Sequence, residues 1–178
     1  MADRDIAAFG LFPDRASLER AIGLLRGAGF RNSDVSMLMQ DSPGTKDLAH
    51  EAHTKAPEGA TAGAAAGAVF GGVMGWLIGI GALAIPGAGP FIAAGPIVAA
   101  LAGMGAAGTA GGLIGALVGV GIPEYEAKRY EGRLREGHLL LSVHCDDSKW
   151  AKKAVDLMKQ AGGQDVSSTA EAHADYHP

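Results

Sequence analysis

The chain has 178 residues, of which 28 are glycine, and its formal net charge at pH 7 is −4. This length fits one domain, or one domain with an accessory element, and the acidic balance excludes the basic surface of a nucleic-acid-binding protein. The single cysteine, Cys145, excludes a disulfide within the chain. Because the N-terminus lacks a long apolar segment, we also expect no secretory signal.

Residues 1–40 predict the first half of an α+β domain. The stretch IAAFGLF (6–12) is typical of a strand, and the following residues show helical spacing, with Asp14 as the expected N-cap and Gly29 after the helix end. A second strand is predicted at 34–40, which completes a βαβ unit. Residues 41–58 are rich in polar and turn-forming residues and are expected to form a disordered linker.

A long uncharged run follows, in which Gly59 to Pro123 contain no Asp, Glu, Lys, Arg or His. Glycine and proline clusters at 85–90 and 93–96 divide it and predict two helices, 59–85 and 97–122. Each helix would be about 40 Å long, against a bilayer core of about 30 Å. The run (59–122) therefore predicts a transmembrane hairpin in the inner (cytoplasmic) membrane. Basic residues outside its two ends predict that both termini are cytoplasmic.

Small residues recur every four positions in both predicted helices, which places them on nearly one helix face. Such glycine-zipper faces allow two helix backbones to approach closely. The glycines either pack the hairpin only against itself or join several hairpins into a homo-oligomer in contact with membrane lipid, and the second is our hypothesis. A buried core in an assembly outside the membrane is the alternative. The predicted helix-packing residues are Gly59, Gly63, Gly67, Gly71, Gly75, Gly79, Gly103, Ala107, Gly111, Gly115 and Gly119.

Residues 123–170 predict a charged helix (123–137) followed by a second βαβ half, with strands at 138–145 and 164–170. The charged helix alternates acidic and basic residues at helical spacing, which indicates a solvated face with internal ion pairs. The segment AVDLMKQAG (154–162) aligns without a gap with AIGLLRGAG (21–29). Two related βαβ halves indicate a ferredoxin-like fold, interrupted here by the apolar helical hairpin. Residues 171–178 are expected to form a disordered tail.

No arrangement of residues in the sequence predicts catalysis, a cofactor or a metal site. His50 and His53 lack the spacing of a zinc-binding helix. His144 and Cys145 are neighbours on a strand, so their side chains point to opposite faces and do not easily share a metal. We therefore expect a protein that is not an enzyme, without cofactor or metal.

Three segments carry a resemblance to a known family: AFGLFPDRASLERAIGLLRGAGF, the hairpin with IPGAGPFIAAGP, and GIPEYEAKRYEGRLREGHLLLSV. Together they resemble bacterial general stress or heat-induced stress proteins with a glycine-zipper centre, some of which are called low-temperature-induced proteins. The resemblance covers roughly residues 6–145. It implies a stress-associated, membrane-associated protein without known catalysis, and it supplies no catalytic residues.

The opening segment and the two-helix insert also resemble, more distantly, the membrane-tethered subunit of a bacterial quinol oxidoreductase complex. Three hypotheses follow from the sequence. The first is a membrane-associated stress-response protein that self-associates through its glycine-zipper hairpin. The second is a structural accessory subunit of a larger membrane complex, and the third is a soluble homo-oligomeric scaffold that buries its own hairpins. The sequence does not name a protein partner.

Overall fold

The computed structural model describes residues 6–41, 76–77, 80–85, 89–98, 112–119 and 122–169. The strands in these ranges are β1 (Ile6–Phe12), β2 (Val35–Gln40), β3 (Gly81–Ile85), β4 (Gly89–Ala94), β5 (Leu139–Cys145) and β6 (Gln164–Ser168). The helices are α1 (Arg15–Gly27), α2 (Gly112–Gly119), α3 (Glu124–Arg135) and α4 (Ser148–Gln160), with a 3₁₀ turn at Asn32–Asp34.

The strands form one antiparallel sheet in the order β3-β4-β2-β5-β1-β6. The two βαβ units interleave at its centre, because β5 lies between β1 and β2 and β1 lies between β5 and β6. The remaining pair, β3 and β4, comes from the uncharged run and extends the sheet beyond β2. Strand β4 pairs with β2 from Met37 opposite Ala94 to Gln40 opposite Phe91.

The helices of the two βαβ units begin in the same way. Asp14 accepts a hydrogen bond from the Ser17 backbone N–H at 2.7 Å. Asp147 accepts one from the Trp150 backbone N–H at 2.9 Å. Both are N-caps, which satisfy amide groups that a helix start leaves free. The repeated sequence therefore folds into two equivalent helices, which place one layer of α1 and α4 on the sheet.

Both faces of the sheet are covered by helices. On one face, α1 and α4 bury a core with the strand residues Phe12, Met37 and Val143. On the other, α2 and α3 bury a second core around Phe9 and Phe91. Residues of the uncharged run enter both cores: Leu77 lies in the first, and Ile97, Leu113, Leu117 and Ile122 lie in the second.

This arrangement corrects the predicted fold class. No long apolar helical hairpin interrupts the domain in the described residues; the end of the predicted helix 59–85 is strand β3, and β4 follows it. Helix α2, which belongs to the uncharged run, has only eight residues. The physical reason is burial, because strands covered on both faces are as continuously apolar as a membrane helix.

The membrane prediction is also wrong. Within the described ranges, no helix combines the length and the apolar character that crossing a bilayer requires. The predicted transmembrane helices, the inner-membrane location and the cytoplasmic placement of both termini are corrected accordingly. The apolar side chains on which they rested are instead packed against the sheet where the structure describes them.

Candidate functional site

The predicted glycine strip lies largely outside the described residues. Gly59, Gly63, Gly67, Gly71, Gly75, Gly79, Gly103, Ala107 and Gly111 belong to that part, so the structure neither joins nor separates them. Gly115 and Gly119 are in α2, which packs against α3 and the sheet of the same chain. Helix packing through these glycines therefore stays a prediction.

The chemistry-bearing residues of β5 follow the alternation expected of a strand. His144 is exposed, whereas the neighbouring Cys145 is only 2% exposed. The Cys145 thiol donates a hydrogen bond to the Val143 carbonyl at 3.5 Å. Burial raises the pKa of this thiol to about 12. Because the thiolate is the nucleophile, we expect Cys145 to react slowly in the folded protein at neutral pH.

A shallow cavity of about 160 Å³ lies where the end of β5 meets α4. Its lining consists of Gly29, Phe30, Arg31, Asp34, His144, Cys145, Asp146 and Trp150. Arg31 is engaged by Asp34 at 2.6 Å and by Asp146 at 3.2 Å. The cavity is smaller than the roughly 300–1,000 Å³ typical of small-molecule sites. In the described part of the chain, no group of three His, Cys, Asp or Glu could hold a metal ion.

Burial of the thiol can be tested by alkylation. We expect iodoacetamide at pH 8 to leave Cys145 unmodified in the native protein, since its thiol is buried and neutral. In guanidinium chloride the same thiol should be modified fully, as mass spectrometry would detect. Val118→Cys is the matched control, because Val118 is 43% exposed and its cysteine should react in the native state. Rapid native modification of Cys145 would contradict its assigned environment.

A second polar cluster joins α3 to the edge strand β6. Glu126 is only 6% exposed, and its two carboxylate oxygens accept hydrogen bonds from the Ser167 hydroxyl at 3.0 and 3.2 Å. The Tyr130 hydroxyl donates to the Asp165 carbonyl at 2.6 Å. Burial raises the pKa of Tyr130, so its hydroxyl stays protonated as a donor. Each of these hydrogen bonds joins α3 to β6, so the cluster has a structural role.

Sequence reasoning missed the outer edge of β3. Strand β3 (GALAI) is at the end of the sheet, so in the described part of the chain its outer side pairs with no strand. It carries no charge and no proline. Unpaired, uncharged edge strands readily pair with another strand. The signal that could have found it is the Gly- and Pro-rich segment between GALAI and PFIAA, which also fits a hairpin.

Comparison of the chain with known protein families, curated proteins and solved structures finds no match.

Proposed function

We propose that this chain is a stress-response protein that is not an enzyme and that works by assembling with further copies of itself. The observation that carries the assembly is the β3 edge, where the sheet formed by the described residues ends in a strand without charge or proline. Proteins usually protect such edges with charges, bulges or covering segments, because a free edge is a template for another chain.

The covered faces of the sheet support this proposal. Many antiparallel sheets leave one face open, but here α2 and α3 bury Phe9 and Phe91 on the face opposite α1 and α4. Large exposed apolar side chains among the described residues are limited to Val118 and Tyr125. Two exposed side chains are fewer than an apolar contact patch of several hundred Å² requires. A contact through the sheet therefore falls on its edges.

The stress role rests on the resemblance of three segments to general stress and heat-induced stress proteins. Those segments cover β1 with α1, the β3–β4 region, and α3 with β5. In the bacterium that carries this gene, we expect its deletion to lower survival after a temperature shift, with restored survival on re-expression. Equal survival of the deleted and parent strains would remove the stress role and leave the assembly unaffected.

Self-assembly is tested by the mass of the intact protein in solution. Light scattering behind size exclusion should give a mass of at least twice the 18.0 kDa monomer, and the mass should fall toward 18.0 kDa on dilution. The dilution series distinguishes reversible assembly from aggregation. A mass of 18.0 kDa throughout the micromolar range would contradict the proposed function.

A further inference from the structure

Alternate residues of β3 direct their backbone groups to its outer side, where no strand of the described residues pairs with it. Asp41 donates its N–H to the Pro90 carbonyl at 3.0 Å, so Pro90 faces β2. The residue opposite Pro90 on β3 is Ala84. In an antiparallel ladder, paired residues alternate between exchanging both hydrogen bonds and exchanging none. Ala84 therefore exchanges none with β4, and its N–H and C=O point outward, as do those of Ala82.

Leu83 occupies the alternate position. It lies opposite Phe91, whose N–H and C=O face β3 because the carbonyl of the neighbouring Pro90 faces β2. Leu83 therefore exchanges its backbone hydrogen bonds with β4, as Gly81 and Ile85 do with their own partners. Ala82 and Ala84 both direct their backbone N–H and C=O groups away from β4, and Leu83 lies between them. The hydrogen-bonding groups on the outer side of β3 are therefore placed symmetrically about Leu83.

The opposite edge of the sheet is protected by comparison. Strand β6 carries Asp165 at a positive φ of 48°, and the register of its pairing with β1 shifts between Phe9 and Leu11. The Asp165 carbonyl already accepts the Tyr130 hydroxyl, and its carboxylate is 3.4 Å from Arg129. Charge and irregularity of this kind discourage strand addition. The β3 edge has neither feature.

Building on the proposed function, we propose that β3 of one copy pairs antiparallel with β3 of a second copy, with the two-fold axis at Leu83. In this register, Ala82 of one copy exchanges both backbone hydrogen bonds with Ala84 of the other, and all of β3 is paired. The contact is isologous, so it closes a dimer. The occupant is a second copy, because the proposed function is self-assembly and two uncharged β3 strands meet without repulsion between like charges.

A symmetric disulfide at position 83 tests the register. Two residues that face each other without hydrogen bonds have Cα atoms about 4.5 Å apart, within the range that a disulfide spans. We expect Leu83→Cys to form a covalent dimer under copper–phenanthroline oxidation. Val118→Cys, on exposed α2, should stay largely uncrosslinked, and the native Cys145 is buried. Equal crosslinking of the two variants, or none at position 83 in a protein that assembles, would overturn the pairing.

Proline at position 84 tests the contact without cysteine. Ala84 is exposed and its N–H points away from β4, so Ala84→Pro removes an outward donor and spares the pairing with β4. We expect the dimer dissociation constant to rise at least about tenfold, with circular dichroism unchanged. Ala84→Ser keeps the donor and should assemble as the parent does.

The outcomes separate this inference from the proposed function. A parent chain that is monomeric at all concentrations overturns both. A parent that assembles while Ala84→Pro assembles equally well overturns only the β3 contact. Dimerisation of the parent with another protein through this edge, in place of a second copy, would appear as a mixed covalent species of Leu83→Cys and would also overturn the inference.

Discussion

Replacing Gly95 by alanine is expected to destabilise the protein strongly. Gly95 directly follows β4 and has a positive φ of 82°, and an added Cβ would overlap the Val35 carbonyl oxygen and lie 2.9 Å from the Ser36 Cα. The left-handed conformation costs about 1–2 kcal/mol and overpacking about 1–3 kcal/mol. We expect the free energy of unfolding in guanidinium chloride to fall by about 2–5 kcal/mol, the sum of the two costs.

Gly89→Ala is the matched control for this substitution. Gly89 begins β4 with a φ of 97°, but no described atom lies within 4 Å of a Cβ added there. Only the conformational cost of about 1–2 kcal/mol should remain. The difference between the two variants measures the close approach of β4 to β2. If both variants lose the same stability, the run does not approach β2 at this point.

Phe91→Ala is expected to have a similarly large effect. Phe91 is fully buried and lies in the second core with Leu38, Tyr130 and Leu140. Truncating a buried phenylalanine to alanine leaves a cavity and costs about 3–5 kcal/mol. This core also contains residues from the segments before and after the uncharged run. The loss of stability should therefore appear in the main unfolding transition, measured by circular dichroism.

Phe9→Ala provides the comparison for Phe91→Ala. Phe9 is also fully buried in the second core, but it belongs to β1 and packs edge-to-face on Tyr130 with ring centroids 5.8 Å apart. The two variants should lower the midpoint of one shared transition. If Phe9→Ala shifts that transition while Phe91→Ala leaves it unchanged, the uncharged run folds apart from the flanks.

The elements of the flanks could be predicted because their signals are local. Asp14 was expected to cap α1, and it accepts the Ser17 amide. Gly29 was expected after the end of that helix, and it has the positive φ of 96° that glycine adopts most easily. The strand predicted at 6–12 is β1, and that at 138–145 contains β5. Helix caps and the alternating pattern of strand residues depend on residues that are close together in the sequence, so a single sequence is enough to identify them.

The uncharged run could not be assigned correctly from its own pattern. Its sequence is apolar throughout, and an apolar segment buried on both sides reads the same as a helix or as a strand. Strand β3 consists mainly of Gly, Ala, Leu and Ile, which do not separate the two states. The deciding interactions are distant in sequence: the Ile97 amide donates to the Ser36 hydroxyl at 3.1 Å, and Met39 pairs with Ile92. Tertiary contacts of this kind override local propensity.

The charged helix α3 also has a feature that its local sequence does not predict. Its predicted ion pairs are present between Lys128 and Glu124 and between Arg135 and Glu131, each at 2.9 Å. Glu126 was assigned to the same solvated face, but it is buried against Ser167 of β6. Helical spacing identifies which residues share a face, whereas the position of β6 beside that face depends on the whole sheet.

Hydrogen exchange at the β3 amides, followed by NMR in assembled and diluted protein, tests the central claim most directly. The account predicts that Leu83 is protected at every concentration, since it pairs with β4. Ala82 and Ala84 should be protected only in the assembled protein and exchange rapidly after dilution. Rapid exchange of Ala82 and Ala84 in a protein that is still assembled would contradict pairing between copies. Rapid exchange of Leu83 would contradict the strand itself.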